Sequence, residues 1–181
     1  MKRKVIIGVL SIFIIAVLVI FTIYQRSENA PKKVIKLFLN KFYTVEDYNK
    51  YAGTELTDKS FSDNYLKEKE YKNIMMSEVY KDFAQNQVFL SYLLTADLGK
   101  FNASPKKINI EKYTILEDKS VIYNYNIKIE TSFADSNQKE EQNDIGQITM
   151  IKVNNKWLIS KINKFKPFTD NSRFSKFRSL Q

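Results

Sequence analysis

The sequence predicts an α+β protein in which one transmembrane helix precedes a domain of helices packed on a curved, four-stranded antiparallel sheet. Three observations lead to this prediction. Residues Val5–Tyr24 carry no charge and are almost all apolar. Apolar side chains then recur at helical spacing as far as Asp97. Beyond Pro105 the apolar period becomes two, which is typical of antiparallel strands with one solvated face.

The apolar segment has the length of a membrane anchor. As a helix rising about 1.5 Å per residue, it spans roughly the 30 Å of a bilayer's hydrocarbon core. A cleaved signal peptide is the alternative, but its apolar region is shorter, about 7–15 residues, and Glu28 and Pro31 make a poor cleavage site around Ala30. We therefore expect an uncleaved single-pass anchor that includes Val5, Ile6, Leu10, Phe13, Ile14, Leu18, Phe21 and Tyr24.

Charge orients this anchor only weakly. A dense basic cluster, residues 2–4, flanks its first end, while Arg26 and several lysines follow its second end. A short charged end is costly to move across a membrane, whereas a long domain can be translocated despite its charge. We therefore expect residues 1–4 in the cytoplasm, a linker over residues 25–30, and an extracytoplasmic α+β domain over residues 31–165.

Helical signals open the domain. Pro31 suits the first turn of a helix. The apolar face that follows it comprises Val34, Ile35, Phe38, Leu39 and Phe42. Next, Thr44-Val-Glu-Asp47 resembles a capping box, which predicts a second short helix that carries Tyr48 and Tyr51 and stops at Gly53.

A longer helical region is expected from Ser60 to Asp97. Its apolar spacing is clear at first and is ended by Leu98-Gly99. The dense apolar run Val88–Leu94 fits either a buried helix or a strand, because periodicity alone does not separate the two.

Four strands are expected after Pro105. Strict alternation from Val121 to Ile129 predicts the second, and looser alternation predicts the first, around residues 108–115. The third and fourth strands are expected at residues 145–153 and 157–162. Tight-turn signals stand at Glu117-Asp-Lys-Ser120 and Asn154-Asn155, and Ala134–Asp144 is interpreted as a polar, mobile hairpin loop.

A basic, aromatic tail over residues 166–181 completes the chain. Phe174, Phe177 and Leu180 stand three residues apart, which suits a short amphipathic helix beginning after Asp170 or Ser172. The candidate interaction residues of the tail are Phe168, Arg173, Phe174, Lys176, Phe177 and Arg178.

The amino-acid composition excludes most kinds of catalytic site. The chain has no His and no Cys, which excludes imidazole bases, thiol nucleophiles, zinc–thiolate sites and disulfides. Its four Gly do not form a phosphate-binding loop. Asp47, Glu111 and Glu130 are the acids weighed for catalysis, but none stands in a suggestive pair, and we interpret them as solvated strand residues. We expect no enzyme activity, no cofactor and no metal.

The excess of basic over acidic residues makes nucleic-acid binding a candidate function. The formal charge is +9, and the densest basic features are Lys106-Lys107 and a series formed by Lys161, Lys164, Lys166, Arg173, Lys176 and Arg178. A solvated face, or attraction to anionic wall polymers and lipid headgroups, explains the same charges. Nucleic acid is therefore a weakly supported partner.

Assembly is the simplest role for an anchored domain with few catalytic groups. Tyr- and Phe-rich surfaces suit protein interfaces. Phe165 and Phe168, with the tail phenylalanines, are more apolar than a free tail needs, although docking on their own domain explains them as well. The anchor holds only Gly8, so it lacks a glycine-type dimer motif.

The last predicted hairpin carries a resemblance. Ile145 to Phe165, a segment that includes Asn154-Asn155-Lys156-Trp157, resembles the final hairpin of nuclear transport factor two-like domains. The resemblance covers roughly residues 31–165 and rests on the order of the predicted elements, helices first and then four strands. With one anchor before such a domain, the chain resembles the VirB-eight-like component of type IV secretion systems, especially its small Gram-positive conjugation versions. Asn102-Ala-Ser-Pro105 departs from the Asn-Pro-x-Gly element of Gram-negative members, so no functional residue is carried over.

This resemblance implies a membrane-anchored assembly subunit of a conjugative DNA-transfer apparatus. Its implied partners are the cell membrane, other secretion-channel proteins and further copies of itself. The alternative is a non-catalytic ligand- or partner-binding domain of another cell-envelope system, of the cell-wall synthesis or sporulation type, or a weakly nucleic-acid-binding module.

Overall fold

The computed structural model describes residues 29–51, 59–86, 88–136 and 138–165. Its first helix, α1, covers residues 29–43 and confirms the helix predicted around Pro31. The predicted apolar face of α1 is buried, and its most deeply buried members are Ile35, Phe38, Leu39 and Phe42. The membrane anchor Val5–Tyr24, Gly53 and the tail lie outside the described residues. Within those residues, no helix is long and apolar enough to cross a membrane.

The turn after α1 corrects the predicted capping box. Thr44 caps no helix; instead, Val45 pairs with Ala103 through two backbone hydrogen bonds, of 2.9 and 3.0 Å. The short helix is a 3₁₀ turn over Tyr48–Tyr51, and Asp47 caps it by accepting a 3.0 Å bond from the Asn49 N–H. Because Val45 is extended and paired with β1, the turn begins later and is capped by Asp47.

The long helical region consists of three α-helices. These are α2 (Lys59–Glu68), α3 (Ser77–Gln85) and α4 (Val88–Gly99), with a 3₁₀ turn at Tyr71–Asn73. The break between α2 and α3 begins at Glu70, whose φ of 54° is left-handed. The run Val88–Leu94 is a helix, and its buried side chains include Phe89, Leu90, Tyr92 and Leu93.

The sheet is the predicted four-stranded antiparallel meander. Its strands are β1 (Phe101–Ile115), β2 (Val121–Phe133), β3 (Lys139–Val153) and β4 (Lys156–Phe165), in spatial order β1-β2-β3-β4. Register shifts in β1 and β4 mark bulges, which curve a sheet.

Strand β1 begins earlier than predicted. The sequence predicts the strands only after Pro105, but Pro105 lies inside β1 and is followed by a register shift. A proline lacks an N–H for the ladder, so it is tolerated on an edge strand or beside a bulge. β1 is such an edge strand, which explains why Pro105 does not end it.

The prediction that Ala134–Asp144 is a loop is wrong for the second half of this segment. Strand β3 already begins at Lys139 and pairs with β2 from Ser132 onward. Gln142 and Asp144 are 5% and 1% exposed because they lie on the helix-facing side of the sheet. Polar residues on a buried strand face give the sequence pattern of a loop, so alternation alone did not find this segment.

Both predicted tight turns are confirmed. Asn154 and Asn155 have φ values of 46° and 67°, as a two-residue hairpin of primed type requires. In the β1–β2 turn, Lys119 has a φ of 64°, and Asp118 accepts hydrogen bonds from the N–H and hydroxyl of Ser120.

The core lies between the helices and the inner face of the sheet. Rings from α1, α3 and the end of β4 meet there: Phe42 and Phe165 have centroids 4.5 Å apart, and Phe38 and Phe83 have centroids 6.0 Å apart. At the β4 edge, the Met76 N–H donates to Ile159, and the Ile159 N–H donates to Ile74, each at 2.9 Å.

The large apolar side chain of Trp157, in the alternating pattern of the fourth strand, predicts a buried indole. It is only partly buried and packs against the core from its rim.

Candidate functional site

A cluster of buried polar side chains fills the interior between α1 and the sheet. Tyr43 comes from the end of α1, Tyr125 from β2 and Asp144 from β3, and each is at most 3% exposed. Tyr92 of α4 joins them by donating a 3.2 Å hydrogen bond to the Tyr43 carbonyl oxygen. Sequence reasoning missed this cluster because Asp144 was placed in a loop. The signal that could have found it is the period-two spacing of Gln142, Asp144, Gly146, Ile148 and Met150.

Burial controls the chemistry of these tyrosines. It raises the pKa of Tyr43 far above its ordinary value, with added effects from neighbouring Tyr125 and Asp144. Burial likewise raises the pKa of Tyr92 and of Tyr125. The three hydroxyls therefore stay protonated at physiological pH and can donate hydrogen bonds, but they supply no phenolate base or nucleophile.

Two of these hydroxyls are not satisfied. The Tyr43 and Tyr125 hydroxyls are close enough to influence each other's pKa, yet neither makes a hydrogen bond of acceptable geometry. Gln142, beside them on β3, has both its amide nitrogen and its oxygen buried without a partner. Such groups cost stability, and in many proteins a buried water satisfies them. Tyr43, Gln142 and Asp144 line none of the grooves described below.

The three acids weighed from the sequence lie apart. Asp47 caps the 3₁₀ turn, and Glu111 lines a groove on the outer face of the sheet. Glu130 bridges Lys106 and Lys139 at 3.0 and 3.1 Å, and these lysines hold the pKa of its carboxyl below the usual value. Among the described residues, no group of three or more acidic side chains is placed to hold a metal ion. The structure does not bring these candidates together.

A groove of about 500 Å³ runs between α3 and β4. We name it the α3–β4 groove. Its inner wall is apolar and consists of Val79, Phe83, Ile162 and Phe165. Its rim is polar, with Glu78, Asp82 and Asn86 on the helix side and Ser160 and Lys161 on the strand side.

The outer face of the sheet carries a row of neutral amides. The Gln147 amide donates to Asn124 at 2.9 Å, and Asn163 donates to Gln147 at 3.2 Å and to Thr149 at 2.9 Å. Asn124 and Gln147 line a shallow groove of about 430 Å³, in which Ile145 is 66% exposed. Glu111 and Lys164 also line this groove. Hydrogen-bonded amides next to an exposed apolar side chain suit contact with another protein surface.

An apolar tip lies where β1 turns into β2. Tyr113, Ile115 and Leu116 are 65%, 57% and 41% exposed. We name these three residues the hairpin tip. Isolated exposed apolar residues are common on protein surfaces, but these three lie within four positions and form a patch. Such patches mark interaction surfaces.

The basic residues singled out from the sequence do not form one patch on the described surface. Lys106 pairs with Glu130, while Lys128 pairs with Glu141 at 2.7 Å. Lys161 and Lys164 line two different grooves. Lys166 and the basic residues after it lie outside the described part of the chain. Paired and dispersed lysines give little support to a nucleic-acid-binding surface.

The described residues thus form an α+β domain whose four-stranded meander curves over a helical layer, with buried polar side chains in its interior and grooves on its surface. Its backbone is similar to three solved structures. One is the candidate transfer protein TraH from the Gram-positive conjugative plasmid pIP501, with 20% identity and a TM-score of 0.46 over 78% of this chain and 96% of that one.

The second similar structure is a periplasmic fragment of TraM, with 12% identity and a TM-score of 0.47 over 77% of this chain and 98% of that one. The third is the intermembrane-space region of the chloroplast protein ARC6, with 7% identity and a TM-score of 0.33 over 52% and 76% of the two chains. No protein-family model matches the sequence, and neither does any curated protein. At these identities the similarity concerns the fold, and no residue role is transferred.

Proposed function

We propose that the chain is a membrane-anchored structural subunit of a conjugative type IV secretion apparatus and acts through protein–protein contacts. The observation that carries the proposal is the arrangement of the domain. Helices come first, and a four-stranded meander follows in the order on which the resemblance to VirB-eight-like components rests. In the sequence, this domain follows a charge-free segment of membrane-spanning length.

A scaffolding role agrees with the interior of the domain. The buried polar side chains of this interior include tyrosines with raised pKa values, Gln142 and Asp144. They are packed into the core, where a substrate would have to displace side chains to reach them. The chain therefore acts by binding partners rather than by catalysis.

The outer surfaces supply the contacts that this role needs. The hairpin tip and the row of neutral amides lie on the sheet, away from the helical layer, so both can face partners while the helices hold the domain together. We infer that other channel proteins, or further copies of this chain, bind these surfaces. The anchor places them outside the cytoplasm, with the N-terminus inside.

The test of the function is a mating assay. A donor strain in which the coding sequence is deleted without disturbing its neighbours should lose transfer of the mobile element, and expression of the full chain in trans should restore it. Unchanged transfer in a confirmed deletion strain that lacks a second copy would overturn the proposal. A defect in cell-wall growth or sporulation with normal transfer would support the alternative envelope role.

The hairpin tip gives a sharper version of the same test. The triple variant Tyr113→Ser, Ile115→Thr, Leu116→Ser should fold and reach the membrane but restore little transfer. Leu98→Ser is the control, because Leu98 is 45% exposed on α4 and is not part of the hairpin tip. Full complementation by the triple variant would exclude the tip as a required contact.

A further inference from the structure

We propose that the α3–β4 groove is the binding site of the chain's own C-terminal segment, residues 166–181. This proposal is independent of the apparatus in which the protein acts. It rests on where the described chain leaves the sheet, on the chemistry of the groove, and on the composition of the segment that follows.

The described chain ends at the groove itself. Phe165, the last residue of β4, forms part of the groove wall, and its ring packs on Phe42 and on Phe38 in the core. This packing fixes the starting point of residues 166–181 beside the groove. The groove borders β4 from Ser160 to Phe165, a distance of about 17 Å at the usual strand rise of about 3.3 Å per residue. Sixteen residues reach that far in any conformation, because even a continuous helix would extend about 24 Å.

The groove and the segment are complementary in charge. Glu78 and Asp82 stand one helical turn apart on the exposed side of α3, and neither forms a salt bridge with any described residue. Lys161 is the basic residue of the described lining, so the lining is acidic overall. The segment carries one acid, Asp170, against the four basic residues Lys166, Arg173, Lys176 and Arg178.

They are also complementary in apolar content. The groove exposes parts of Val79, Phe83 and Ile162 along its wall. The segment offers Phe168, Phe174, Phe177 and Leu180, alternating with its basic residues. If the segment's aromatic rings pack on the apolar wall while its basic side chains pair with the acidic rim, both interactions stabilise the same bound state. Linkage to the same chain adds a high effective concentration.

Proteolysis of the full chain in detergent tests the proposal directly. Chymotrypsin cleaves after Phe174 and Phe177, and a bound segment should be cut slowly. The double variant Glu78→Lys, Asp82→Lys should be cut roughly tenfold faster, as expected for the loss of two ion pairs and the gain of repulsion. Adding Arg173→Glu and Lys176→Glu should restore slow cutting without changing the cleavage sites. Glu111→Lys, on the outer face of the sheet, is the control and should leave the rate unchanged.

Cross-linking identifies the occupant. The chain has no cysteine, so an engineered pair is free of background. Asn86→Cys on the groove rim should form an intrachain disulfide with at least one of Ser172→Cys, Ser175→Cys and Ser179→Cys. Asn109→Cys, on the outer face, should form none with the same three. Interchain disulfides would overturn the proposal in favour of a second copy's segment. No disulfide together with charge-independent cleavage would overturn it altogether.

Discussion

Gly146 lies directly opposite Tyr125 in the β2–β3 ladder, and the Tyr125 ring covers it so closely that no side chain fits there. A β-carbon on Gly146 would collide with the ring and with the carbonyl oxygen of Lys164 on β4. Gly146 on β3 therefore lets β4 lie close on one side, while the Tyr125 side chain from β2 on the other side reaches the polar interior.

Replacing this glycine should be costly. Because one of the two colliding groups is backbone, Gly146→Ala should lower the free energy of unfolding by about 1–3 kcal/mol, the usual cost of overpacking a filled core. Urea denaturation of the full chain in detergent, followed by Trp157 fluorescence, measures the change. The neighbouring variant Ile145→Ala alters an exposed side chain and should stay within about 0.5 kcal/mol of the wild type. Equal stability of the two variants would contradict the close packing.

The tyrosine cluster predicts an asymmetry between two matched variants. Tyr92→Phe removes a hydroxyl that donates to the Tyr43 carbonyl and should cost about 1 kcal/mol. Tyr43→Phe removes a buried hydroxyl without a hydrogen bond and should leave stability unchanged or raise it. The melting temperatures of both variants, compared with that of the wild type, test this asymmetry. A large loss in Tyr43→Phe would show that this hydroxyl binds a water or a ligand.

The Glu130 bridge predicts part of the pH dependence of stability. Two lysines lower the pKa of Glu130 from its ordinary 4.5, so the folded state favours the ionised carboxylate. The resulting stabilisation is complete above that ordinary value and is lost as the pH falls through the lowered pKa. Glu130→Gln should therefore show a smaller drop in denaturation midpoint between pH 7 and pH 3 than the wild type. Glu111→Gln, which breaks no salt bridge with a described residue, should drop as the wild type does.

Membrane topology can be tested with single cysteines. If the domain is extracytoplasmic, Ile145→Cys should react with a membrane-impermeant maleimide in intact cells after removal of the wall, because that side chain is 66% exposed. Lys2→Cys, at the predicted cytoplasmic end, should react only after lysis. The reverse pattern would place the domain in the cytoplasm.

Much of the fold was predictable because the spacing of apolar residues matches the period of the helix or strand whose face is buried. The face of α1 that contains Phe38 was identified residue by residue, and so was the strict alternation of β2. The turn at Asn154-Asn155 was equally clear, since few residues other than Gly and Asn tolerate a positive φ in two successive positions.

The remainder was decided by tertiary contacts. Val88–Leu94 is apolar except for Ser91 and shows no clear period, so the sequence alone did not decide between helix and strand. The first half of β3 is polar, and its pairing with β2, together with the burial of Gln142 and Asp144, holds it in the sheet. The buried tyrosine cluster depends on residues from three elements that no local pattern connects.

Two short backbone bridges, one at each edge of the sheet, join the helical layer to the strands and affect how the domain unfolds locally. Val45 follows α1 and is bonded to β1, while Ile74 and Met76 precede α3 and are bonded to β4. The helical layer is thereby fastened at both margins, so it cannot peel away while the strands stay paired. Amide protons of Val45 and Ile159 should therefore exchange with solvent at the rate of the central strands, in a single cooperative event.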